Sequence, residues 1–187
     1  MRHSDASPIE APILNTQRLR LRPHCLADFA ACASMWAEPE VVKFIGGKPA
    51  SEQQVWIKLM SYRGHWPLMG FGYWALEEKS SGGFIGELGF ADFKREIEPS
   101  IKDIPELGWA LASPFHGKGY ATEALRAAIA WGDTRRGWPR TVCIISEGNL
   151  PSFRVAEKCG YTPVQRTTYN GEPTVLLARD LPKAPPA

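Results

Sequence analysis

Residue types and spacing first suggest chemistry in the stretch ELGWALASPFHGKGYATEAL, from Glu106 to Leu125. A strand-like run passes through a turn containing Gly117 and Gly119 straight into a helical pattern. Glycines let a turn approach a ligand closely. The first N–H groups of a helix have no internal partner and point at whatever anion lies at its N-terminus. A diphosphate fits that place. Taken alone, two glycines also serve simply to let a strand meet a helix. The phosphate loop of NTPases is not present, because Lys118 is followed by Gly119 where Ser or Thr is required, and the dinucleotide fingerprint is missing as well. A phosphate loop of another type is expected. Further along, Asn149 and Ser152 form N-x-x-S between a strand and a helix, where both residue types make good caps.

Other chemistry-bearing residues are less informative by pattern. Cys25, Cys32, Cys143 and Cys159 form no C-x-x-C pair and do not alternate with His at ligand spacing, so no metal and no disulfide framework is implied. Reduced thiols in a cytoplasmic protein are expected. His65 and His116 can relay protons, although a lone His in an aromatic or loop setting more often has a structural role.

Several elements must position these groups. Leu19 to Arg22 alternates as a half-buried strand, which Pro23 ends. Asp28 can cap a helix burying Phe29, Cys32, Ala33 and Trp36, and Ser51 can cap a second presenting Val55, Trp56, Leu59 and Met60. Strand-length apolar runs follow at 72–76, 84–90 and 106–111, with a turn at Ser80 to Gly83 and a charged, Pro-containing loop at 94–105. A helix from Tyr120 to Arg135 carries Ala121, Ala124, Leu125, Ala128 and Ile129 on one stripe, with Gly137 beyond its end. Thr141 to Ile145 reads as a strand, Pro151 opens a short helix ending at Gly160, and two last strands flank the Asn170–Gly171 turn. This order describes a mixed α/β sheet with helices on its faces.

Composition bounds the rest. A chain of 187 residues fits one domain, here expected over 12–181 with loose ends at 1–11 and 182–187. The net charge of +2 is too small and too dispersed for nucleic acid to be the main partner. No apolar stretch approaches the roughly 18 residues of a membrane span.

The motifs TQRLRLRP, FGYWAL, GGFIGELGF, ELGWAL, HGKGYATEAL and EGNLPSFRVAEKCGY together resemble the GNAT N-acetyltransferases, within them the RimJ/RimL-type branch, from about Leu14 to Leu181. The resemblance implies a mostly antiparallel sheet with a splayed strand pair, and acetyl-CoA as co-substrate for acetylation of an amine, with a homodimer plausible. The family's pyrophosphate signature, Q/R-x-x-G-x-G/A, falls on His116, Gly117, Lys118, Gly119, Tyr120 and Ala121, followed by Thr122. His116 departs from the first position. This leaves main-chain donors intact but removes any guanidinium contact to phosphate.

By the same resemblance Trp109, Ala110 and Leu111 pair with the pantetheine arm, and their strand offers an N–H to the oxyanion. The Trp109 side chain can equally be a core aromatic. Asn149 is implied to bond pantetheine and Ser152 to donate to the leaving thiolate, with Tyr161 a weaker donor. Glu106 is the implied base, which burial beside Trp109 would strengthen. Glu87 on the preceding strand is its rival, with water as the remaining choice. Tyr62, His65, Trp66, Phe71 and Tyr73 are expected near an acceptor pocket suited to a small or hydrophobic amine. The acceptor itself stays open, from a protein N-terminus to a small amine. A non-catalytic acyl-CoA-binding module is the alternative reading.

Overall fold

In a computed structural model, residues 10–181 are described. Their centre is one eight-stranded sheet: β1 (Leu14–Asn15), β2 (Leu19–Arg22), β3 (Tyr73–Glu78), β4 (Phe84–Ala91), β5 (Glu106–Leu111), β6 (Arg140–Ser146), β7 (Thr162–Tyr169) and β8 (Glu172–Asp180). The order is β1-β2-β3-β4-β5-β6-β8-β7, and every neighbouring pair is antiparallel except β5 and β6. The mixed, mostly antiparallel sheet with helices on both faces is therefore as expected. The chain outside residues 10–181, including most of both expected loose ends, lies beyond the described residues. Within the N-terminal one, Ala11 is buried in the main core.

Period-two alternation divides the side chains between two faces. Leu19, Leu21, Leu88, Phe90 and Leu107 pack under α4 (Tyr120–Arg135) and α5 (Leu150–Lys158). On the other face Ala110 meets Cys32, Met35 and Trp36 of α1 (Phe29–Ala37), together with α2 (Pro39–Val42) and the start of α3 (Glu52–Met69). Burying such apolar side chains is worth about 1.5–3 kcal/mol each, which is what holds the helices to the sheet.

Several local expectations are corrected. Asp28 does not cap α1 with its side chain. Its carboxylate accepts from Arg22 at 2.7 and 2.8 Å and from the Cys25 N–H, closing a 3-10 turn that precedes the helix. Ser51 does cap α3, with Gln54 completing a capping box. Its buried stripe, however, is Val55, Leu59, Tyr62 and Trp66, while Trp56 and Met60 are exposed. That rotation brings the Tyr62 ring onto Tyr73, with centroids 4.2 Å apart. The short β1 and α2 carried no readable pattern.

Candidate active site

The feature that organises the site is a gap in the sheet. β5 and β6 share one registered pair, Glu106 with Val142, closed by the Val142 N–H to the Pro105 carbonyl at 3.0 Å, and then diverge. The Ala112 N–H donates to Ile85 in the β4 direction. The Leu107 N–H completes the parallel pair on the Val142 carbonyl, and alternation then turns the backbone groups of Trp109 and Leu111 toward the gap. Opposite them, Ile144 and Ser146 face it from β6. A cavity of about 770 Å³ opens here, lined by Trp109 and Ala110 on one wall and Asn149 and Ser152 on the other. Leu111 reaches the gap only with its backbone, because its side chain is core, and its carbonyl already accepts from His116 Nε2 at 2.7 Å.

Beyond β5 the chain makes a 3-10 turn at Ser113–Phe115 and enters the glycine turn. Gly117 and Gly119 have φ of +72° and +81°, conformations that residues with a Cβ rarely adopt. No backbone or side-chain acceptor takes the N–H groups of residues 117–122 among the described residues. Six successive donors at the N-terminus of a 16-residue helix form a cradle for an anion. Their side chains serve the scaffold. Tyr120 is buried with its hydroxyl on Glu78, Lys118 lies over the Phe115 ring, and Ala121 and Thr122 are half-buried. Arg18 holds the turn by donating to the Lys118 carbonyl and pairing with Glu123.

At the end of β6, Asn149 caps α5 by accepting from the Ser152 N–H at 3.2 Å. This is the capping role, and it leaves the Asn149 amide nitrogen and the Ser152 hydroxyl free to face the cavity they line. Tyr161 does not share the site. It is buried, bonded to Thr141, and absent from the cavity wall. Its residue type had suggested a donor, but its position beneath β6 precludes contact with a leaving group.

The two carboxylates occupy different surroundings. Both Glu106 oxygens are taken by Arg95, at 2.6 and 2.9 Å, and Arg95 also donates to the Tyr169 hydroxyl at 2.8 Å. Such a bidentate pair holds its carboxylate strongly. Glu87, buried on β4 opposite Ala110, accepts from Tyr62 Oη at 2.7 Å and Trp36 Nε1 at 3.0 Å, both on one oxygen. Its second oxygen has no partner among the described residues. Burial raises the pKa of Glu87, against the charge of Lys58 and the two hydrogen bonds. Burial likewise lifts the Tyr62 and Tyr73 hydroxyls well above their ordinary range, so both remain donors. Gly108 makes room for this arrangement, since a Cβ there would lie 2.1 Å from the Tyr73 hydroxyl.

Of the expected acceptor aromatics, Tyr62 and Tyr73 line the cavity. Trp66 is core, Phe71 packs on Trp138, and His65 bonds the Ser61 carbonyl. Sequence reasoning missed Trp36, Lys58 and Arg95, which come from separate helices and a loop, and it missed His24. That ring is buried within 4.8 Å of Cys32 and Glu87 polar atoms, both nitrogens lack a partner among the described residues, and burial drives its pKa down to about 4.

Comparison with known proteins bears on this geometry. Residues 18–162 match the family model described as an acetyltransferase (GNAT) domain. The Bacillus subtilis protein YkkB is 31% identical over 79% of this chain and 83% of its own. An Aspergillus fumigatus FsC-acetyl coenzyme A-N(2)-transacetylase is 30% identical over 82% of this chain and 66% of its own. Among solved structures, a GNAT-family acetyltransferase from Bordetella pertussis superposes with a TM-score of 0.80 at 33% identity, covering 90% of this chain and 99% of that one.

Proposed function

Because the chain belongs to the GNAT acetyltransferase family and is an acyltransferase using acetyl-CoA, we propose that it acetylates a primary amine by direct attack in a ternary complex, with Glu87 as the base. The observation that carries this reading is the gap between β5 and β6, whose unpaired backbone edge leads to six free N–H groups at residues 117–122. The pantetheine arm pairs with Trp109 and Leu111 as an added strand, and the diphosphate lies on the N–H cradle. Asn149 contributes its amide nitrogen to the arm. Within the family, the motifs from TQRLRLRP to EGNLPSFRVAEKCGY favour the RimJ/RimL-type branch, and four free cysteines suit a cytoplasmic enzyme.

The order of the two candidate bases is reversed from the expectation. Glu106 is the weaker choice because Arg95 occupies both of its oxygens. Glu87 combines a free oxygen, burial and a raised pKa, which makes it a stronger proton acceptor once ionised. An amine enters as ammonium, gives its proton to Glu87, and attacks the thioester carbonyl. A β5 N–H at the open edge receives the developing oxyanion, a contribution of about 3 kcal/mol for one preorganised donor. The C–S bond then breaks, the Ser152 hydroxyl donates to the departing thiolate, and the second proton shed by the nitrogen as the amide forms restores that hydroxyl through solvent. A non-catalytic acyl-CoA module would have no use for a buried carboxylate with raised pKa facing the thioester site.

A screen of primary amines with acetyl-CoA as donor, read by mass spectrometry of products, tests the reading. Acetylated amine together with stoichiometric CoA supports it. Tight acetyl-CoA binding with no product from any amine would favour the non-catalytic module.

A further inference from the structure

Lys58 of α3 lines the same cavity, and the transfer reaction leaves it without a task. Its Nζ lies 4.2 Å from the centroid of Trp36 and 5.6 Å from that of Tyr62, the two side chains that hold Glu87. No carboxylate oxygen comes within 4.0 Å of it among the described residues. The deep cation next to it, Arg95, is neutralised by Glu106, and Glu147 at the mouth is 3.4 Å from Arg166. Aromatic faces offset only part of the cost of desolvating an ammonium. Burial accordingly lowers the Lys58 pKa, with the Glu87 charge opposing. A desolvated cation of this kind, in a cleft, marks a place for an anion.

A simple ammonium approaching Glu87 meets like charge from Lys58. An amine with a carboxylate beside it meets two complementary groups, with aromatic walls from Tyr62, Tyr73 and Phe93 around its remaining surface. We propose that the acceptor is a carboxylate-bearing primary amine of the α-amino acid type with an apolar side chain, its carboxylate paired with Lys58 and its amine at Glu87. This rests on the acetyl-transfer reading for the direction in which the amine faces. It disfavours polyamines and protein N-termini, which lack that carboxylate.

Phenylalanine and phenethylamine differ by the carboxylate alone, and because its effect on amine basicity is the same with every variant, the change in their kcat/KM ratio on substituting Lys58 isolates the anchor from the chemistry. Wild type is expected to prefer phenylalanine, and Lys58→Met to lower that ratio about tenfold or more, mainly through KM, with Lys58→Arg restoring much of it. An unchanged ratio in Lys58→Met, or no preference in wild type, overturns the proposal. Calorimetry of the two amines with CoA-loaded protein reads the same preference without turnover. Lys58-dependent phenylalanine binding without any acetylation supports the anchor while overturning the transfer reading. Failure of wild type to bind phenylalanine overturns the anchor.

Discussion

The two walls of the cavity, proposed to hold donor and acceptor, are built by different means. The donor wall is made of backbone: the strand edge at Trp109 and the Leu111 N–H, and N–H groups from 117 to 122. The acceptor wall is made of side chains from four elements, with Trp36 from α1, Lys58 and Tyr62 from α3, Tyr73 from β3 and Glu87 from β4. A backbone site tolerates changes of side chain and constrains only where a Cβ can go. A side-chain site is rebuilt by single substitutions. One scaffold can thereby keep its donor while changing its acceptor.

The largest expected effect breaks the acceptor wall. Glu87→Gln keeps shape but cannot accept a proton, so kcat/KM near neutral pH is expected to fall about 10²- to 10⁴-fold. Because the Glu87 pKa is raised, activity of the unmodified enzyme declines as pH falls through a value above the ordinary 4.5, where the carboxylate becomes protonated. The variant lacks that limb and recovers at high pH, where the amine is already neutral. A variant with wild-type rate and profile would reduce this wall to shape alone.

The donor wall breaks through Cβ placement. At Gly117 a Cβ meets no protein atom within 4 Å and projects into open space, where the diphosphate is proposed to lie. Gly117→Ala is expected to weaken acetyl-CoA binding about tenfold or more, whereas Lys118→Ala stays within about threefold. Calorimetry decides, with melting curves to account for strain at positive φ, and equal losses for both would remove the backbone cradle. Ser152→Ala sharpens the boundary between the walls. It is expected to lower kcat about tenfold, the modest end for a positioned acid because a thiol ionises readily, while acetyl-CoA Kd holds. A collapse of binding instead would make Ser152 a ligand contact.

The smallest effect on rate belongs to Glu106→Gln. Half of a largely buried ion pair is removed, so stability is expected to drop by about 2 kcal/mol, discounted because the Arg95 side chain keeps 21% exposure. Turnover of the folded variant is expected to stay within about threefold. A loss as deep as that of Glu87→Gln would restore Glu106 as the base.

How much was legible follows the same division. Gly117, Gly119 and the amphipathic α4 are local signals, and they announced a strand, turn and helix able to hold an anion. The mostly antiparallel sheet with a splayed strand pair was implied by motifs spread along the chain, while the strand order was not. The pairing of Glu106 was not legible because its partner Arg95 lies 11 residues away in a loop with no periodicity. The α3 stripe was misjudged because Trp56 and Met60 fit a helical apolar face as well as Tyr62 and Trp66 do, and only packing on Tyr73 chooses between them. Asn149 shows a residue with both readings at once, its oxygen capping α5 and its nitrogen left over.

The single pair joining β5 to β6 also sets how the sheet exchanges its amide hydrogens. By strand order Leu107, Trp109 and Leu111 are interior, with four strands beyond β5 on one side and three on the other. The Leu107 N–H completes the pair with Val142, but those of Trp109 and Leu111 face the gap, so in the free protein they are expected to take up deuterium as fast as a sheet edge, while their neighbours Gly108 and Ala110, bonded toward β4, stay protected. On the proposed reading pantetheine in the gap would act as a ninth strand, and protection there would become a direct clock for its departure.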